Sequence, residues 1–383
     1  MLESLYQILF IVFMPITLCF ELFKKAKFYI ISFNVLYFLL ALLVAFRYGV
    51  GIDTINYMIA FDFIPPIDKL SLLDFSSFRF QPLYTLINSI CKSIYPDFVL
   101  VQILHSILFY HSLYLLLRKL NLRRFYLLFI FFSSMYFGPG MQMMREGFAL
   151  AFCFYALLFY FKNKYILYYL LVLVGFGFHS GVVVFFILPV IDYIIRKNNY
   201  NSKVFFLFVL FCVIALYSLD SITSIFGGLG DSSIERYKAI DSHVSFSYTA
   251  AIRTFVLIFV LYAKIFKTKK IEVLYFYLGV VSIIFDFFAA SFMPILFRIA
   301  SYFILFYFVC VDALFGQIKN NKLLYVFACV FIFYQPFARG INDLFISEDT
   351  APYEKYCSVF SSIEEKSYYY KMKTSFNAFD YFR

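Results

Sequence analysis

From Leu5 to Phe337 the chain repeats one pattern, a long apolar run followed by a short polar break that often carries lysine. Runs of this length suit a bilayer. There only a helix satisfies its own backbone N–H and C=O groups without a closed barrel. The pattern predicts an all-α polytopic membrane protein. Composition agrees, because 63% of the residues are hydrophobic and 15% charged, whereas a soluble domain is nearer half apolar. The formal net charge of +10 does not point to nucleic acid, since the basic residues fall in short clusters between apolar runs and form no continuous face.

Those clusters orient the chain. Leu5 to Phe20 is followed by Lys24, Lys25 and Lys27, which predicts an outside N-terminus by the positive-inside rule. Phe28 to Phe46 then returns outward. Residues 47–81 are too polar and too broken by Pro65 and Pro66 to span, so an outer loop is expected there. Pro82 to Tyr95 is short of the roughly 20 residues of a full crossing. If it crossed, the Arg118, Lys119, Arg123, Arg124 cluster would land outside, so a re-entrant or interfacial segment is expected. Spans near 98–117, 125–138, 142–161, 165–178, 180–195, 204–219, 251–267, 271–290, 298–315 and 323–338 complete about twelve transmembrane helices. In this layout residues 1–338 form a single transmembrane domain with outer loops at 47–81 and 220–250, and residues 339–383 form an outer-face tail.

The layout sorts the cations unequally. Inner connections hold 14 Lys and 4 Arg, while the outer side holds 7 Lys and 8 Arg. Positive-inside accounts for the lysines. Arginine on the outer face needs another reason, and its planar fork suits the paired oxygens of a phosphate or carboxylate. Arg47, Arg145, Arg253 and Arg298 all fall at outer ends of expected spans, and the last three open helices, where the macrodipole favours an anion. Lipid headgroups could also hold each arginine singly. Gly49 and Gly51, just after Arg47, would let exposed backbone N–H groups join in. His179, in Gly175-Phe-Gly-Phe-His-Ser-Gly181, sits in a short outer turn from which it could donate a proton or a hydrogen bond to a leaving phosphate oxygen, or be merely hydrogen-bonded within the turn. Asp53 and Glu146 are the carboxylates nearest the arginines, fit either to accept a hydroxyl proton or to neutralise a neighbour. His105 and His111 are read as packing residues.

No Gly-rich nucleotide loop, outer Asp-x-Asp pair, HExxH or GxSxG occurs. The seven cysteines lack the paired spacing of a zinc site. No metal and no cofactor are expected.

Several of these residues recur in a known pattern. Arg47-Tyr-Gly-Val-Gly-Ile-Asp53 with Tyr57 and Phe61, Met144-Arg-Glu-Gly-Phe-Ala149, Phe178-His-Ser180 and Arg298-Ile-Ala-Ser-Tyr-Phe303 resemble the motifs of the EpsG-type branch of Wzy-like O-antigen and capsular or exopolysaccharide polymerases. Gln81-Pro82-Leu83-Tyr84 is similar too, with Gln81 where a glutamate is usual, and Glu146 stands where Gln is usual. The resemblance implies a GT-C-like membrane architecture and a metal-independent glycosyltransferase. Its donor and acceptor would be undecaprenyl-pyrophosphate-linked repeat units. It would work at the outer face of a bacterial inner membrane, beside membrane lipid and with a flippase and a chain-length regulator as partners. Arg47, Asp53, Arg145, Glu146, His179 and Arg298 would be catalytic, and Gly49, Gly51, Tyr57, Arg253 and Tyr302 would bind substrate. A lipid-linked oligosaccharide flippase, an O-antigen ligase and a glycan acyltransferase stay open as alternatives.

Overall fold

The computed structural model of the chain describes residues 5–22, 26–77, 80–197, 275, 278–285, 295–318 and 357–362. The expected spans at 204–219, 251–267 and 323–338, the loop 220–250, Arg253 and most of the 339–383 tail lie outside these residues. Among the described residues every regular element is a helix. Residues 1–183 with 336–383 form one compact unit and residues 184–335 a second.

In the first unit, α1 (Leu5–Leu22) and α2 (Ala26–Ala45) are joined to the rest through α6 (Val99–Lys119) and α7 (Phe125–Phe131). α2 packs on α6, α1 on α7, and α8 (Met144–Tyr160) packs on both α6 and α9 (Tyr165–Phe176). Two helices, Phe28–Ala45 within α2 and Val99–Lys119, are long and apolar enough to cross a bilayer, and Tyr165–Phe176 is apolar but shorter. The described residues therefore support a helical protein of membrane character, while twelve crossings stay an expectation. Between apolar helices in lipid the hydrophobic effect is weak and close contact must hold the bundle. Aromatic rings supply much of it. Phe13 stacks on Phe129 and Phe132, and Phe125 stacks on Phe20 at 4.4 Å while meeting the edge of Tyr29 at 5.1 Å.

Two expectations about the path of the chain are corrected. Residues 47–81, expected as an open loop, are largely helical. Gly51 starts α3 (Ile52–Phe63), whose residues from Thr54 to Phe61 are all buried, and a 3-10 turn and the short α4 (Leu72–Ser77) follow. Twelve residues rise about 18 Å, well short of a hydrocarbon core of about 30 Å. The second correction concerns 125–138. α7 ends at Phe131, and two π-helical segments, Phe132–Tyr136 and Gly138–Gln142, carry the chain to α8. Gly138-Pro139-Gly140 explains the break. Proline has no N–H to continue the ladder, and a methyl on Gly140 would lie 3.0 Å from the Met135 carbonyl and 3.1 Å from the Tyr110 hydroxyl.

Pro82–Ile94 forms α5, with proline at its first position and Lys92 in its last turn. Its inward face is polar: Tyr84, Thr85, Asn88 and Ser89 are buried, while Pro82 and Ile94 are exposed. Lys92 turns back to α3 and donates to the carbonyls of Phe61, Asp62 and Ile64 at 2.8–2.9 Å. These are the orphan acceptors at the end of α3. α3 and α5 thus close into a short helical pair that places the Gln81 end of α5 near α8.

The second unit includes α10 (Val183–Lys197), which opens at the unit boundary, helical residues 278–285 and α11 (Ile295–Ile318). Within it Phe185 stacks on Phe303 at 5.6 Å, and Ser282 donates to the Ala300 carbonyl.

Candidate functional site

The chain leaves α2 at Phe46 and reverses into α3 through Arg47-Tyr-Gly-Val-Gly. Gly49 and Gly51 take φ of 65° and 91°, a region that L side chains avoid. At Gly51 space also forbids a side chain, since a methyl there would sit 2.9 Å from Gln142 Cβ. The start of α3 therefore abuts the π segment that leads into α8. Both helices begin without a side-chain cap at Gly51 and Met143, and both carry a carboxylate in the first turn, Asp53 and Glu146.

Exposure of this stretch, expected from the sequence, is not found. Arg47 is 0% exposed, and Gly49, Val50 and Gly51 are buried. The Arg47 guanidinium turns inward, donating to the Val44 carbonyl in the last turn of α2 and to the Met141 carbonyl of the π segment. Gln102 of α6 donates to the Arg47 carbonyl at 3.1 Å. Arg47 braces three elements against one another.

Arg145 is the half-buried cation of the group. From the first turn of α8 its Nε donates to the Tyr57 hydroxyl at 3.3 Å and its Nη1 to Gln81 Oε1 at 3.4 Å. Its guanidinium lies over the rings of Phe80, at 5.0 Å, and Tyr57, at 5.8 Å. Tyr57 itself meets Phe80 at 5.9 Å and Tyr84 at 5.4 Å. The wholly buried Tyr84 phenol feels the charge of both Arg145 and Arg47. The structure thus gathers Arg145, Tyr57 and Gln81, which lie on three separate stretches of chain.

Glu146, beside Arg145, is buried at 2% exposure, and Asp53 is half-buried. Gly147 lets this turn approach α6. A methyl there would fall 2.1 Å from His105 Nε2 and 2.3 Å from the Pro139 carbonyl. His105 is buried and packed against Phe109 and Phe148, with Nε2 3.2 Å from the Pro139 carbonyl. It is a packing residue, as read from the sequence.

His179 is half-buried and caps the 3-10 turn Ser180–Val182, its Nδ1 accepting from the Gly181 N–H at 3.1 Å. A neutral ring in that role carries its proton on Nε2. The turn is fastened on two sides. Leu83 N–H donates to the Gly177 carbonyl at 3.0 Å, and Phe178 stacks on Phe148 at 5.1 Å and Phe152 at 5.5 Å. The His179 turn therefore rests on the start of α5 and on α8, the elements that also hold Gln81 and Arg145.

The remaining candidates belong to other parts of the chain. Arg298 is in the first turn of α11 and Tyr302, 1% exposed, one turn further along, both in the second unit. Arg253 lies outside the described residues. Sequence reading missed Gln81 as a partner of Arg145 because glutamine there departs from the usual glutamate. It missed Phe80 because one aromatic residue among 57 phenylalanines carries no signal. Among the described residues no group of three His, Cys, Asp or Glu side chains is arranged to hold a metal ion.

No curated protein and no solved structure matches the sequence. One family model does, over residues 30–355, and that range takes in most of α2, the Arg47 turn, Arg145, the His179 turn and α11. The chain belongs to the EpsG family, a Wzy-like, polymerase-type family of membrane proteins in polysaccharide synthesis.

Proposed function

We propose that the protein joins lipid-pyrophosphate-linked oligosaccharide repeat units into a surface polysaccharide at the outer face of the bacterial inner membrane. The observation that carries this reading is the Arg145 cluster. A guanidinium seated on Phe80 and Tyr57, with Tyr57 and Gln81 as its hydrogen-bond partners, has a fixed plane and keeps its charge. The hydrogen bonds to Tyr57 and Gln81 are long for charged hydrogen bonds, which are normally about 2.7–2.9 Å. Shorter bonds to a pyrophosphate oxygen would replace them at small cost.

In the reaction a hydroxyl oxygen of the acceptor sugar attacks the anomeric carbon of the donor. A new C–O bond forms while the bond from that carbon to the pyrophosphate oxygen breaks, and the lipid pyrophosphate leaves with the bonding pair. Arg145 stabilises the charge that develops on it. Glu146 or Asp53, in the first turns of α8 and α3, accepts the hydroxyl proton. His179 donates a hydrogen bond from its Nε2–H to the departing phosphate oxygen. Arg47 acts at one remove, bracing the turn and the π segment from which α8 starts. The leaving group is already activated, so the step needs no nucleotide.

The glycan ladder of a deletion strain tests the reading. Single lipid-linked repeats should persist at the outer face while chains of two or more repeats disappear. Loss of outer-face single repeats as well would indicate a flippase, and intact long chains would rule out a polymerase.

A further inference from the structure

We infer that residues 357–361 form a strap that fixes the Arg47 turn, so that the end of the chain positions the candidate site. The strap lies just beyond residue 355, where the family match ends. Ser358 bridges Arg47 in antiparallel fashion. On either side of that pair, Tyr48 N–H donates to the Cys357 carbonyl at 2.8 Å and Val359 N–H to the Phe46 carbonyl at 2.9 Å. Phe360 lays its ring 5.3 Å from that of Phe46. The strap is also closed on itself: Ser358 N–H donates to Ser361 Oγ at 3.1 Å and Ser361 N–H to the Ser358 carbonyl at 3.0 Å.

The contact has a physical purpose at the end of α2. The last carbonyls of a helix have no partner within it. Here the Arg47 side chain takes the Val44 carbonyl and the strap takes that of Phe46. The peptide planes on both sides of Arg47 are thereby pinned just before the chain enters the positive-φ turn at Gly49. The same guanidinium reaches the Met141 carbonyl, and the π segment containing Met141 runs directly into the helix of Arg145. A bonded path therefore leads from the strap through Arg47 to the first turn of α8. The positioning role is stated for the polymerase activity proposed above; the contact itself does not depend on it.

The test uses the full-length protein in its own membrane. Cross-strand neighbours in an antiparallel pair have Cα atoms about 5.5 Å apart, within disulfide reach, so Tyr48→Cys should pair with native Cys357 under mild oxidation. Mass spectrometry would identify the linked peptide, which should vanish with Cys357→Ser. Val359→Pro deletes the donor to Phe46, whereas Val359→Ala retains it. At matched protein level Val359→Pro should lose long glycan chains at least about tenfold, equivalent to about 1.4 kcal/mol, and Val359→Ala should not. Forming the 48–357 disulfide in the Val359→Pro background should restore chain length, and reduction should remove it again. Absence of the 48–357 link, or an unchanged ladder from Val359→Pro, would overturn the strap. If the deletion strain makes normal long chains, the polymerase reading fails while the disulfide result still decides the strap.

Discussion

Gly147→Ala adds one methyl group at the point where α8 comes closest to α6 and the π segment. That methyl would lie 2.3 Å from the Pro139 carbonyl oxygen and 2.1 Å from His105 Nε2. A carbon and a carbonyl oxygen approach no closer than about 3.3 Å, so relief requires a shift of about 1 Å. His105 cannot swing aside, because Phe109 and Phe148 hold its ring and Nε2 lies against Pro139. The backbone carbonyl is not movable without disturbing the π segment, so the first turn of α8 must give way. Overpacking of this kind costs about 1–3 kcal/mol of stability. The larger effect falls on Arg145 and Glu146, which ride on the same turn, since a displacement of about 1 Å in a reacting group can lower a rate about a hundredfold. Glycan ladders at matched membrane protein level, with thermal unfolding in detergent, measure both quantities. Removing the ring with His105→Ala should rescue only in part, because the Pro139 carbonyl remains. A Gly147→Ala protein with native chain lengths and native melting would refute the close packing and the placement of Arg145 that follows from it.

Arg145→Lys should fail nearly as badly as Arg145→Ala. Lysine keeps the charge but cannot lie flat on Phe80 or serve Tyr57 and Gln81 together, and a charged hydrogen bond is worth about 1.5–3 kcal/mol, so chain extension should drop roughly ten- to a hundredfold; native ladders from the Lys variant would show that headgroup anchoring is its whole role. His179→Asn keeps a short acceptor for the Gly181 N–H but loses the ring Nε2–H, so the protein should accumulate normally with shortened glycans, whereas equal activity of the Asn and native proteins would leave His179 as a cap alone. Lys92→Met removes three hydrogen bonds to the end of α3 and should lower the melting temperature, with loss of about 1–3 kcal/mol; an unchanged melting temperature would contradict the pairing of α3 with α5.

Much of the helical framework was legible because the apolar runs and their basic edges record it. α2, α6, α8 and α9 begin and end within three residues of where hydropathy puts them. The residues that failed to show themselves share one physical reason, dependence on contacts distant in sequence. Arg47 reads as an exposed cation until the Val44 and Met141 carbonyls take its donors. Gly147 reads as an ordinary helix glycine until His105 and Pro139 come within reach. Residues 357–361 have no local pattern that announces pairing with 46–48. The Gly138-Pro139-Gly140 break, by contrast, was available in the sequence as a cluster of helix breakers inside an apolar run.

The most direct measurement reconstitutes the purified protein in liposomes with lipid-pyrophosphate-linked single repeats as the sole sugar source, with no nucleotide sugar and with a metal chelator present. Products should lengthen to multiple repeats as free lipid pyrophosphate appears, one released per linkage formed, and Arg145→Ala should form none above background. No chain growth from the native protein until a nucleotide sugar is added, or equal growth from native and Arg145→Ala proteins, would contradict polymerisation at the Arg145 site.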